Sequence, residues 1–456
     1  MKHLPLGIVV LLSSGCTQPP MSQTSTDATA LPGRQVITDG GLVSEIASIK
    51  LIDNHAHPLR VVGVGEAADE DFDVLRCPDE PGILPWMRLR EDNVENIGAW
   101  RMLFGYPHND MSQAHVRELA DAKTKVMREQ SERYPTWVLD QLGIETMLAN
   151  RVTMGRGLSA PRFRWVSFVD PLMVPLDNRI ARQRDPLHAY VYESEESQLR
   201  QYLAESRLPA LPGGFEEYLA KLVTATLERH KSGGAVAVKF EAAYLRALDF
   251  ASSSKMRAAQ VYARYVHGGV PPAPDYKELQ DYLFWYISSE AGRLGLAVHF
   301  HTGPGCGSHF SLEDSNPLQL EAAFNDETLR HTNFVLVHGG YPFTKEVAYL
   351  LSKPNVYADF SAQTFLLSAR ELSEVLRNWL GWNPEKILFG SDAAPGSLEL
   401  GWEEEAWQTV GTARSALAMA LTGMLNDGEI TRERASQLAR MVLRENAMKL
   451  YKLSSH

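Results

Sequence analysis

Short apolar runs alternate with longer amphipathic stretches from residue 48 onward. The runs are rich in Val, Leu and Phe and lack strict alternation, which is typical of strands buried on both faces of a parallel sheet. Eight of them can be counted, at 49–54, 146–152, 164–169, 235–240, 297–301, 334–338, 356–360 and 387–391. Eight β/α units predict an α/β fold, the (β/α)8 or TIM barrel.

The spacing of these runs predicts long insertions after strands 1, 3 and 4. About 90 residues separate the first and second strands, whereas the last four are separated by ordinary helical returns. Insertions that follow strands lie at the catalytic mouth of such a barrel. Aromatic and histidine side chains in the first insertion either form a substrate lid or pack as its own core: Trp86, Trp100, Phe104, Tyr106 and His108.

The chain after Asp392 is predicted to be helical, at 403–424 and 431–450. Thr431 precedes Glu433 and Arg434 and is a plausible N-cap, and apolar positions recur behind it at helical spacing. We interpret these segments as closing helices without catalytic residues.

Composition and charge limit the class of protein. The chain has 456 residues, of which 44% are hydrophobic and 22% charged, so it can bury a large core. Its net charge of −11, without a long run of Lys and Arg, argues against a nucleic-acid surface. A small-molecule substrate fits better, and the oligomeric state stays open.

The N-terminus predicts export. A basic start and a short apolar run precede Ser13-Ser14-Gly15-Cys16, and the run is too short to span a bilayer. Residues 1–16 resemble a bacterial lipoprotein signal that would leave Cys16 lipidated, although Ser13 departs from the usual Leu. Simple cleavage or an uncleaved start are the alternatives. Residues 17–33 are predicted to be a flexible tether to a folded domain at 34–456 in the periplasm.

Two further cysteines, Cys77 and Cys306, are too few for a disulfide scaffold. In an oxidising periplasm they either form one disulfide or remain free thiols. The sequence alone does not decide between these states.

Metal-competent side chains are concentrated at predicted strand ends. His55 and His57 are two residues apart and therefore project from one face of strand 1. Four more such residues end other strands: Lys239, His301, His338 and Asp392. Polar groups at the ends of apolar strands are costly unless they are paired, so a shared site at the barrel mouth explains them together.

With these motifs the chain resembles the amidohydrolase superfamily, in the branch with D-x-H-x-H-P after strand 1 and G-S-D after strand 8. The likeness runs from about Leu51 to Asp392 and includes the ending Arg444-Glu445-Asn446-Ala447. The segment Lys239-Phe240-Glu241-Ala242-Ala243-Tyr244-Leu245-Arg246 is similar to the amidohydrolase-like domain fused to glutamine-synthetase-like proteins.

The resemblance implies a metal site holding Zn²⁺ or a similar divalent ion, one or two per chain. His55, His57 and Asp392 would hold the first ion, joined by His301 in one-metal members. In two-metal members a carbamylated Lys239 would bridge, and His301 and His338 would bind the second ion. A protonated Lys239 that pairs with a carboxylate or an anionic substrate is the alternative.

Three further residues are candidate substrate contacts. His299 shares a face with His301 and could be a substrate contact, a partner behind the ligands, a ligand itself or a core histidine. Tyr244 and Arg246 follow strand 4 and could meet a substrate carboxylate. A structural role is an equal alternative for both.

The implied activity is hydrolysis of an amide, ester or lactone bond by metal-activated water. Asp392 would shuttle the proton, and His338, if it is not a ligand, would stabilise the developing oxyanion. Nonoxidative decarboxylation on the same barrel is one alternative. A lipoprotein that binds a ligand without turnover is a second alternative.

Overall fold

A computed structural model describes residues 38–63, 65–75, 77, 80–184 and 189–454. The predicted signal at 1–16, its Cys16 and the tether at 17–33 lie outside these residues. No helix in the described ranges is both long and apolar enough to cross a membrane.

Eight parallel strands form one sheet in the order in which they occur along the chain. Hydrogen bonds between the first strand and the segment after the last one close the sheet, for example from Asn54 N to Phe389 O (2.8 Å) and from His57 N to Ala393 O (2.8 Å). The strands are β1 Leu51–Ala56, β2 Ile144–Asn150, β3 Phe163–Phe168, β4 Ala235–Phe240, β5 Ala297–His301, β6 Phe334–Val337, β7 Val356–Asp359 and β8 Ile387–Leu388. The (β/α)8 fold is therefore confirmed.

The predicted strands agree with the observed ones within about two residues, except at the end of β8. Strands β4 and β5 have the predicted bounds, whereas β8 ends at Leu388. Beyond that point the chain still follows β1, because Ser391 N and Asp392 N both donate to the His55 carbonyl. Asp392 itself has a left-handed backbone conformation with φ of 62°.

Helices surround the barrel and fill its insertions. They are α1 Gly40–Ser48, α2 Asn96–Phe104, α3 Gln113–Gln130, α4 Tyr134–Leu142, α5 Arg179–Arg184, α6 Ala189–Glu205, α7 Phe215–Glu217, α8 Ala225–Ser232, α9 Lys255–Tyr265, α10 Ala273–Arg293, α11 Glu321–Asn325, α12 Thr344–Leu350, α13 Gln363–Leu366, α14 Ala369–Leu380, α15 Trp402–Asn426, α16 Arg432–Arg440 and α17 Asn446–Tyr451. Single π-helical stretches join α7 to α8 (Tyr218–Thr224) and α16 to α17 (Met441–Glu445).

Most aromatic residues of the first insertion pack into the main core of the domain and form neither a lid nor a separate core. Trp100, Phe104 and Tyr106 are buried, and the Trp100 indole donates to the Glu399 carbonyl beyond β8 (2.8 Å). Trp86 differs from them, because it is 40% exposed and stacks on Phe365. Of the aromatic residues in this insertion, Trp86 is therefore the one whose position suits a lid.

The C-terminal helices close the barrel, as predicted. The Thr431 side chain accepts a hydrogen bond from Arg434 N and caps α16. At the end of α17, Tyr451 lies in an inner apolar cluster with Ile52, Ala297 and Val335 of the barrel strands. The last helix thus places a tyrosine hydroxyl inside the barrel.

Candidate metal centre

Five side chains from four strand ends meet at the barrel mouth. The Asp392 carboxylate lies 2.9 Å from His55 Nε2, 3.7 Å from His57 Nε2 and 3.7 Å from His338 Nδ1. His301 stands on the other side of His338, with ring centroids 4.7 Å apart. The structure therefore brings together five of the six predicted ligands, and His55, His338 and Asp392 have ligand atoms within 4.8 Å of one another.

Two of these residues have an uncommon backbone conformation. His338 has a φ of 65° and Asp392 a φ of 62°, both in the left-handed region that glycine favours. Hydrogen bonds hold each backbone in place, from His338 N to Asp359 Oδ1 (2.9 Å) and from Asp392 N to the His55 carbonyl (2.7 Å). The surrounding network thus maintains a conformation that turns both side chains toward the site.

Three of the imidazoles each have a hydrogen-bond partner outside the group of proposed ligands, and this partner orients the ring. His57 Nδ1 lies 3.0 Å from the Phe72 carbonyl, His301 Nε2 lies 3.0 Å from the Pro304 carbonyl, and His338 Nδ1 lies 2.9 Å from Ser361 Oγ. Such partners select the tautomer and leave the opposite ring nitrogen for an ion.

Burial sets the protonation of the centre. It lowers the pKa of His55, His301 and His338 well below the usual range and that of His57 to about 3, with Lys239 adding in the same direction. The imidazoles are therefore neutral at neutral pH, as metal ligation requires. Burial, followed by the Glu405 charge, raises the pKa of Asp392 well above its usual range.

The donor set fits a divalent transition-metal ion. Imidazole and carboxylate groups converging from several strands are the ligands that Zn²⁺ and similar first-row ions take in proteins. In addition, His55 Nδ1 is buried and has no hydrogen-bond partner, so this side chain offers a donor from either ring nitrogen. The side chains at this site therefore match the predicted divalent metal ion.

Lys239 is the sixth predicted ligand and lies deeper in the barrel. It is fully buried, and among the residues that the structure describes its Nζ has no hydrogen-bond partner and has Glu241 in ion-pair range, at 3.7 Å. Asp170 and Glu195 are buried in the same region, and Asp170 Oδ2 accepts from Glu241 N (2.7 Å). Both alternatives for Lys239 remain open, because Glu241 is a counter-ion for an ammonium and the free Nζ is a position for a carbamate.

His299 belongs to a network beneath the ligands. It is fully buried, and its Nε2 lies 2.7 Å from the Tyr451 hydroxyl. Tyr451 donates to Asn54 Oδ1, and Asn54 Nδ2 donates to Asp359 Oδ2 (2.7 Å). This environment agrees with two of the alternatives for His299, a partner behind the ligands and a core histidine with a satisfied hydrogen bond.

Sequence reasoning missed the other members of this network. Asp359 accepts from the backbone of His338 and, through Oδ1, from Ser361 Oγ (2.6 Å). Asp359 is a carboxylate at the end of an apolar strand. The same pattern identified Asp392, so it could have identified Asp359 as well. For Tyr451, no local signal distinguishes it from an ordinary helix residue.

The two predicted substrate contacts after β4 lie in different environments. The Tyr244 ring is 4.7 Å from the His301 ring, beside the centre. Arg246 instead pairs with the buried carboxylate of Asp281 (2.8 Å) and with Asp249 (3.2 Å). The structure therefore brings Tyr244 to the site and places the Arg246 guanidinium in a buried ion-pair network.

A disulfide joins Cys77 to Cys306, with Cα atoms 5.6 Å apart. It links the insertion after β1 to the loop after β5, and Cys306 N donates to the Tyr244 hydroxyl (3.3 Å). Of the two alternatives for these cysteines, the structure shows the bonded pair. The disulfide therefore connects two loops that border the centre.

Comparison with known proteins identifies the family. The sequence model of the amidohydrolase family matches residues 179–453, more than half of the chain. The match contains Lys239, His301, His338 and Asp392. Protein fluG of Emericella nidulans is 31% identical over 160 residues, which cover 34% of this chain and 17% of that protein. The chain thus matches only a small part of that relative.

Solved structures share the fold at low sequence identity. Glucuronate isomerase from Caulobacter crescentus has a TM-score of 0.61 at 13% identity and covers 91% of this chain and 94% of its own. A protein described as a metal-dependent hydrolase, from Lactobacillus casei ATCC 334, has a TM-score of 0.57 at 16% identity, covering 90% and 97%. Uronate isomerase from Thermotoga maritima has a TM-score of 0.57 at 14% identity, covering 79% and 78%.

Proposed function

Because this chain belongs to the amidohydrolase family, we propose that it is a metal-dependent hydrolase that cleaves an amide, ester or lactone bond of a small molecule. The observation that carries the proposal is the convergence of four buried imidazoles and the Asp392 carboxylate at the barrel mouth. This is the end at which barrel enzymes hold their catalytic residues.

His55, His57 and Asp392 would hold one ion, together with His301 or His338. When bound, a divalent ion lowers the pKa of a coordinated water to about 7 and so supplies hydroxide at neutral pH. The donor set favours Zn²⁺ among such ions. A second ion would require Lys239 to be carbamylated, since an ammonium cannot be a ligand.

Asp392 is the proposed proton carrier. Its Oδ1 lies 2.9 Å from His55 Nε2 and its Oδ2 lies 3.7 Å from His338 Nδ1, so the carboxylate faces the position of the proposed ion. The carboxylate would accept a proton from the attacking water and deliver it to the leaving group. His338, where it is not a ligand, would donate a hydrogen bond to the developing oxyanion.

The proposed role of Asp392 is tested with a panel of esters, lactones, amides and carboxylated aromatic compounds. We expect zinc-loaded protein to hydrolyse a member of the first three classes, and Asp392→Asn to lower kcat by about 10²–10⁴-fold. Asp121→Asn, the same change at an exposed carboxylate on α3, is the matched control. Release of carbon dioxide without hydrolysis would support the decarboxylase instead, and bound metal without turnover would support a ligand-binding protein.

Metal content decides the role of Lys239. Two ions per chain, with loss of one in Lys239→Ala and rescue by bicarbonate or short-chain acids, would support a carbamate bridge. A single ion that Lys239→Ala retains would support the ammonium paired with Glu241.

We also propose that the protein is exported and anchored through Cys16, in the periplasm of a bacterium. The Cys77–Cys306 disulfide supports this proposal, since disulfides persist mainly in oxidising compartments. Metabolic labelling with a radioactive fatty acid should mark the full-length protein and leave Cys16→Ser unlabelled. Equal labelling of the two proteins, or none in either, would contradict lipidation at this residue.

A further inference from the structure

A second group of metal-competent side chains lies in the insertion after β1, outside the barrel mouth. His108 precedes α3, and His115 and Glu118 occupy one face of that helix, three residues apart. All three offer ligand atoms within 4.8 Å of one another. Their side chains are accessible, with exposed fractions of 24% for His108, 30% for His115 and 60% for Glu118.

The two imidazoles are stacked, with ring centroids 3.4 Å apart and planes inclined by 5°. This stacking holds the two rings side by side, so that nitrogen atoms from both can be offered to one cation. Imidazole nitrogens are common ligands of transition-metal ions in proteins.

Carboxylates complete the group in two different ways. Asp110 Oδ1 lies 2.8 Å from His115 Nδ1 and also accepts from Ser112 N (2.9 Å), so it is held behind the ring and leaves His115 Nε2 for an ion. Glu118 Oε2 lies 2.7 Å from His108 Nε2. A cation between these two atoms would replace this contact with two ligand bonds.

We propose that His108, His115 and Glu118 bind one divalent transition-metal ion of the zinc class, with Asp110 orienting His115. Two nitrogens and one carboxylate oxygen are a donor set that such ions take. The ion would join the segment before α3 to the helix itself. That segment is already fixed by Arg101, which donates to the His108 carbonyl (2.9 Å), and by the Tyr106 hydroxyl, which donates to the Asp110 carbonyl (2.7 Å).

The neighbours of this proposed site already restrict the positions of its side chains, which argues for an ion with a structural role. Tyr106 is buried and its ring lies 5.2 Å from the His108 ring, which limits where His108 can move. Leu119, the residue after Glu118, is fully buried and anchors α3 against the domain, while His115 and Glu118 stay accessible. An ion here would stabilise the insertion without participating in the reaction at the barrel mouth.

The test counts ions in full-length protein without a histidine tag, by equilibrium dialysis against zinc and elemental analysis. We expect His108→Ala/His115→Ala to bind one zinc ion fewer per chain than the wild type. The control His331→Ala, an exposed histidine elsewhere, should bind as many as the wild type. Equal zinc content in the double variant and the wild type would overturn the proposal.

A second variant tests the orienting role of Asp110. Asp110→Asn should weaken binding of the same ion by about 10–100-fold, since partners behind a ligating histidine have effects of this size. Added zinc should raise the thermal unfolding midpoint of His331→Ala by more than it raises that of His108→Ala/His115→Ala. An unchanged affinity in Asp110→Asn, or equal rises in midpoint, would contradict an organised site.

Discussion

The network beneath the metal centre makes Tyr451→Phe an informative substitution. The tyrosine hydroxyl donates to Asn54 Oδ1, so its oxygen is free to accept from His299 Nε2–H (2.7 Å). His299 and Asn54 are fully buried. Phenylalanine keeps the ring in the apolar cluster but leaves one donor and one acceptor without a partner.

The expected loss in the free energy of unfolding follows from these two unpaired groups. A buried polar group that loses its partner destabilises a fold by about 1–3 kcal/mol, so Tyr451→Phe should lower the free energy of unfolding by about 2–5 kcal/mol. Asn54 also holds Asp359, which in turn binds the backbone of His338. We therefore expect affinity for the barrel ion to fall by about tenfold.

The assays are urea unfolding and competition with a metal-binding dye. Tyr357→Phe is the matched control, because Tyr357 packs against the same inner cluster and its side chain is half-buried. It should change stability by less than about 0.5 kcal/mol. If Tyr451→Phe resembles this control in both stability and metal affinity, the reasoning from the hydrogen-bond network is refuted.

Three further predictions concern stability and are measured by urea unfolding. Arg151→Met should destabilise the fold by about 3–5 kcal/mol, because it removes a fully buried guanidinium that pairs with Asp69 at 2.9 Å and donates to the Pro58 carbonyl (2.6 Å), and leaves Asp69 only the Arg60 guanidinium at 3.6 Å; a loss below about 1 kcal/mol would contradict this. Burial lowers the pKa of His230 to about 3 in the folded protein. Neutral His230 therefore contributes fully to the free energy of unfolding above its unfolded-state pKa of about 6.5, and this contribution is lost as the pH falls toward 3. The wild type should therefore lose about 2 kcal/mol more than His230→Phe between pH 7 and pH 5, and parallel losses would rule this out. Cys306→Ala should cost about 2–4 kcal/mol, because it opens a loop with a sequence separation of 229, and an effect within the error of the measurement would count against it.

The fold was largely predictable because the strand signals are local. Apolar runs rich in Val, Leu and Phe stop where polar side chains begin, and β4 and β5 appear with the predicted bounds. The residues at those ends, such as His301 and Lys239, are placed at the mouth by topology alone. The short β8 was less predictable, because the apolar run continues to Phe389, whereas the chain there hydrogen-bonds to the distant β1.

Residues whose roles depend on distant contacts were not predictable. Tyr451 enters the network with His299 over a separation of 152 residues, and nothing in its neighbourhood in the sequence indicates this. Similarly, Arg246 follows β4 like Tyr244, yet Asp281 on α10 binds its guanidinium in a buried ion pair. The His108 group was visible only as one histidine in an insertion, since its stacking on His115 requires the turn before α3.

The central claim is that the barrel mouth holds a catalytic metal ion, and an anomalous diffraction map of zinc-loaded crystals tests it most directly. We expect an anomalous peak at the zinc edge among His55, His57 and Asp392, within bonding distance of all three side chains. The peak should be lost in His55→Ala crystals. A map of fully loaded protein with no peak among these residues would contradict the claim.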